Sequence, residues 1–69
     1  MQFSEIEQGQ IERRVAWFKP SQGGRPLANL RMLAWESKLS FEGLSREELL
    51  TKLALYDAEK IVISWRSVA

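Results

Sequence analysis

At about 100° per residue, Leu49, Leu50, Leu53, Ala54 and Tyr56 fall on one face of a wheel, and Glu47, Glu48, Thr51 and Lys52 fall elsewhere. The pattern predicts an amphipathic helix from Ser45 to about Glu59, and its start is marked twice. Ser45 and Glu48 have the S-x-x-E spacing of a capping box, and Leu44 and Leu49 occupy the two positions of a hydrophobic staple. Glu47 and Glu48 also complement the positive end of the helix dipole. Leu55 falls on the opposite side, between Thr51 and Lys52, as an isolated apolar residue open to a partner or merely exposed.

Elsewhere the spacing shortens to two. Ile61 to Val68 is β-branched and aromatic, with Ile61, Ile63 and Trp65 on one face, and it predicts a strand. Gln10 to Phe18 sets Ile11, Arg13, Val15 and Trp17 against Glu12, Arg14, Ala16 and Phe18; it predicts a second strand that stops at Lys19-Pro20. Ser21 to Pro26 is loop by composition. Leu27 to Phe41 is rich in helix formers and follows Pro26, which suits a first helical turn. On a wheel this stretch has two apolar faces, Leu27, Leu30, Ala34 and Phe41 on one, Met32, Trp35 and Leu39 on the other. Lys38 to Glu42 reads equally as a short alternating strand after a shorter helix, and Gly43 ends either version. Residues 1–9 are ambiguous, because Ser4 to Glu7 offers another S-x-x-E while Gly9 would interrupt a helix at once. These elements compose a single α+β domain over residues 1–69. The expected order is β-α-α-β, or β-α-β-α-β, with the helices on one face of a small sheet.

Size changes the picture by making that domain marginal. A chain of 69 residues hides only about 60% of the surface its unfolded form exposes. Disulfides are excluded because the chain has no cysteine, and without histidine a structural metal is hard to build. Good packing or self-association is what remains. No apolar run exceeds four residues, as in Met32 to Trp35, which is far too short to cross a bilayer, and the start carries Glu5 and Glu7 where a signal peptide would be basic and then apolar. A cytoplasmic protein is expected, which the cysteine-free composition fits.

The same missing residues remove the commonest general base, the thiol nucleophile and nearly every zinc arrangement. There is a single Asp, and the adjacent Glu47 and Glu48 are explained by capping. Gly23-Gly24-Arg25 lacks both the GK[ST] ending of a P-loop and the G-x-G-x-x-G fingerprint. No enzyme activity, cofactor or metal is expected.

Charge is uneven. From Arg13 to Trp35 there are five basic residues and no acidic one; with +1 overall, the rest of the chain balances at −4. Arg13, Arg14, Lys19, Arg25 and Arg31, interleaved with Trp17 and Phe18, are therefore candidate contacts for a nucleic acid. A helix-turn-helix reading is opposed by Glu47 and Glu48, which would place negative charge where the second helix meets the bases. Two functional readings follow. The first is a non-enzymatic protein-interaction module, an inhibitor, adaptor or assembly subunit that associates with itself as a homodimer, using Trp17, Trp35, Leu55 and Trp65. The alternative is a small nucleic-acid-binding regulator using the basic segment from Arg13 to Arg31.

Overall fold

The computed structural model describes residues 2–67 and contains three helices in the order α1 (Glu5–Gln22), α2 (Leu27–Glu36) and α3 (Arg46–Arg66). No strand occurs among the described residues, so the α+β expectation is overturned and the fold is a small all-α domain.

The segment from Gln10 to Phe18 is the middle of α1. Its alternation conceals a second spacing, since Ile11, Val15 and Phe18 lie at i, i+4 and i+7, and these are the residues that meet the two core clusters. Trp17, placed beside Ile11 by the strand reading, points to solvent instead. At the start of α1 the Ser4 hydroxyl accepts from the Glu7 N–H while the Glu7 carboxylate accepts from the Ser4 N–H. That capping box supports a helix that runs straight through Gly9, despite the cost of about 1 kcal/mol that glycine carries in a helix interior. Pro20 lies inside the last turns and does not end the helix, which continues to Gln22. A Cβ at Gly23, the residue that follows, would stand 2.7 Å from the Lys19 carbonyl oxygen.

The second correction concerns Ile61 to Val68. Helix α3 keeps the expected start, with the Ser45–Glu48 capping box formed, but it runs on to Arg66; Val68 lies outside the described residues. Ala58 and Val62 are buried and sit four apart, whereas Ile63 and Trp65 are exposed. Burial at helical spacing outweighs β propensity here. Ile61, Val62 and Ile63 together lose roughly 1–2 kcal/mol relative to alanine in a helix, and burying Val62 alone returns a comparable amount.

Helix α2 ends at Glu36, short of Phe41, and residues 38–42 are neither helix nor strand. Lys38 takes a left-handed φ of 59°, its N–H bonds to the Trp35 carbonyl, and the Leu39 N–H bonds to the Ala34 carbonyl. This is a Schellman cap with lysine where glycine is usual, closed by Leu39 packing on the core cluster that contains Ala34. Gly43, at φ 75°, is the third residue of the turn closed by the Leu44 N–H on the Phe41 carbonyl, where a positive φ is required in a type II turn.

Helix α3 is the spine, and α1 and α2 each pack on it. Leu49, Leu50 and Leu53 of α3 close on Leu30 and Ala34 of α2, with Phe18, Leu27, Leu33, Leu39, Phe41 and Leu44 around them. Farther along, Ala58 and Val62 close on Ile11, with Phe3 and Val15 alongside. Helix α1 runs antiparallel to α3 and is held by polar groups along its length. Arg66 meets Glu7 at 2.5 Å, Arg14 meets Asp57 at 2.7 Å and Lys19 meets Glu47 at 2.9 Å. Arg46 donates to the carbonyls of Gly23 and Arg25, tying the start of α3 to the loop after α1.

Candidate protein-interaction surface

All fully buried side chains among the described residues are aliphatic, and none of the three tryptophans is in the core. Trp35 is 74% exposed, Trp65 52%, Trp17 51% and Leu55 42%. Core packing, the structural role open to each Trp in the sequence, is therefore not what these residues do.

The structure brings two of them together. Trp17 on α1 and Trp65 on α3 line one shallow depression with Gln10, Arg13 and Arg14. Arg14 is positioned there by two neighbours: its Nε donates to Asp57 at 2.7 Å, and its guanidinium lies 4.1 Å from the centroid of the Trp17 ring. Trp35 is not part of this group. It stands on the outer face of α2 beside Met32, itself 61% exposed, next to a basin lined by Glu36, Lys38, Leu39 and Ser40. Leu55 sits on the outer face of α3 and borders neither depression.

Of the five basic residues, Arg13, Arg14 and Lys19 lie on α1, Arg25 in the loop after it and Arg31 on α2. Arg14 and Lys19 are committed to Asp57 and Glu47, and the Arg25 side chain donates to Gln22 Oε1. Arg13 is exposed on α1 and Arg31 on α2.

At the far end of α1, Arg66 grips Glu7 with two guanidinium nitrogens, at 2.5 and 2.7 Å, and rests on the Phe3 ring at 5.1 Å from its centroid. Hydrogen bonding from Arg66, and then from the Ser4 N–H, holds the Glu7 carboxyl at about 2, well below the usual carboxylate value. Hydrogen bonding to Glu7 raises the Arg66 guanidinium in turn. The Ser45 backbone N–H lowers Glu48 by the same capping geometry. These perturbed groups belong to helix ends and to the α1–α3 seam, so they are scaffold.

A cleft of about 270 Å³ opens where α1 and α2 diverge over α3, walled by Phe18, Leu33 and Leu53 and rimmed by Arg25, Asp57 and Lys60. Asp57, its carboxylate, is already bonded to Arg14. Among the described residues no three His, Cys, Asp or Glu side chains are grouped so as to hold a metal ion, and no helix is long and apolar enough to cross a membrane.

Sequence reasoning set Met32 on the second apolar face with Trp35 but did not name it as a partner residue, nor Ile6 or Ile63, which are also exposed. For Met32 the signal was present, because Ala28, Met32 and Trp35 lie at i, i+4 and i+7 opposite Leu30 and Ala34. Comparison with protein-family models, with curated proteins and with solved structures finds no match to this chain.

Proposed function

We propose that this chain is a small non-enzymatic protein-interaction module that acts by associating with itself, in the cytoplasm. One observation carries the reading: every tryptophan of a 69-residue chain stands at the surface over an aliphatic core. Large aromatic side chains left in water are costly to solubility and contribute most to binding energy when a partner covers them. A net charge of only +1 leaves little repulsion between copies. The cytoplasmic setting rests on the cysteine-free composition, which fits a reducing compartment. Nucleic-acid binding has weaker support, since two of the five basic residues are neutralised within the fold.

The test is sedimentation over a wide concentration range, on the wild-type chain and on Trp17→Ala, Trp35→Ala and Trp65→Ala. The expected result is reversible association that at least one substitution weakens while circular dichroism stays helical. A chain that remains monomeric at millimolar concentration would contradict the reading. So would three variants that simply unfold.

A further inference from the structure

The outer face of α2 carries a repeat that the fold does not use. Ala28, Met32 and Trp35 are all exposed, on the side of the helix opposite the buried Leu30 and Ala34. With Met32 set as an a position of a heptad, Ala28 and Trp35 are d positions, Arg31 is a g position and Asn29 and Glu36 are e positions. The stripe is thus a short coiled-coil seam with a cation along one edge and a carboxylate along the other.

We infer that α2 pairs with α2 of a second copy of this chain, side by side, parallel and in register, through Ala28, Met32 and Trp35. This rests on the self-association reading above and names its surface. Charge decides the orientation. In a parallel pair a g residue faces the e residue five positions on in the partner helix, so Arg31 faces Glu36 of the other copy, and the two-fold axis makes this contact twice. In an antiparallel pair like edges meet, and Arg31 is set against Arg31 of the other copy. Only the parallel arrangement puts opposite charges together. The small Ala28 lets the helices approach at one end. At the other, the basin beside Trp35, lined by Glu36, Lys38, Leu39 and Ser40, leaves room for the second indole.

The interface is small. Ten residues of helix span roughly 15 Å, too little to bury the area of a stable dimer. The pair forms at high concentration and exchanges freely.

The experiment compares sedimentation equilibrium of the wild-type chain, Arg31→Glu, Glu36→Arg and an equimolar mixture of the two variants, each checked for helicity by circular dichroism. Either variant alone places like charges at both contacts and is expected to weaken association about tenfold. The mixture restores two opposite-charge contacts and is expected to associate as well as wild type. Trp35→Ala, at a site outside the core, is expected to weaken association without loss of helix. Wild-type association that all these variants leave unchanged overturns the α2 pairing and spares the self-association reading. Tighter association by Arg31→Glu alone overturns the parallel orientation. A monomeric wild-type chain overturns both.

Discussion

Single residues in this chain depart from local preference in ways that can be reversed. Gly9 sits inside α1 with open space around the position of a Cβ. Alanine there lowers the entropy lost on folding without a clash, so Gly9→Ala is expected to stabilise by about 1 kcal/mol, read as a higher urea midpoint with an unchanged slope. Lys38 holds a left-handed backbone at the end of α2, a conformation glycine adopts freely. Lys38→Gly is expected to raise stability by about 0.5–1 kcal/mol in the same measurement. The contrast between core and surface is sharper. Leu30 and Leu49 are fully buried, and Leu→Ala at either costs about 2–5 kcal/mol, enough to unfold much of so small a domain. Trp35→Ala, despite removing a larger side chain, is expected to leave thermal stability nearly unchanged because Trp35 stands in water.

At the scale of elements, α1 and α3 are joined as much by charge as by apolar contact, and this gives the domain a pH dependence. Glu7 is held at about 2 in the folded chain against an ordinary value of 4.5, by Arg66 first and the Ser4 N–H second. A carboxyl that is more acidic when folded contributes stability above its unfolded value and loses it as pH falls through the folded one. Thermal midpoints are therefore expected to fall from about pH 4.5 towards pH 2, with Glu48, lowered by its own cap, acting in the same direction. Glu7→Gln is expected to flatten that slope; an unchanged profile would show that the Arg66 clamp contributes little. The same polar seam explains what the sequence concealed. Helix α3 was legible at its start because Ser45, Glu48, Leu44 and Leu49 give independent signals that agree. Helix α1 meets α3 through Ile11, Val15 and Phe18 with Glu7 and Arg14 along the edge of that stripe, so its narrow apolar face is bordered by charges whose partners are about 40 to 60 residues away. Without those partners in view, alternation at Ile11, Val15 and Trp17 reads as a strand, and Gly9 reads as a stop. The end of α3 misled for another reason: Ile61 to Trp65 has the composition of a strand, and only the burial of Ala58 and Val62 against Ile11 keeps it helical.

For the whole molecule, the division between interior and surface carries the functional account. Among the described residues the buried side chains are leucine, isoleucine, valine and alanine, with Phe3, Phe18 and Phe41 packed partly buried against them, and the tryptophans lie outside the core on two separate faces, one on α2 and one where α1 meets α3. Three of the four partner residues named from sequence were tryptophans chosen for their chemistry; the exposure of Trp17 and Trp65 could not be read there, because the wheel that would place them belongs to segments that read as strands. The two-faced character of the middle helix was legible in part: Leu30 and Ala34 are buried on α3 and Met32 and Trp35 are open, but Leu39, placed with the latter two, lies past the end of α2 and packs on the core. Association should therefore change the surroundings of tryptophan without changing the fold. Tryptophan emission followed from dilute to millimolar protein tests this most directly. The indoles are expected to emit at the long wavelength of solvated tryptophan when dilute, moving to shorter wavelengths as concentration rises, with far-ultraviolet dichroism constant. Emission that stays at one wavelength across the whole range would contradict it.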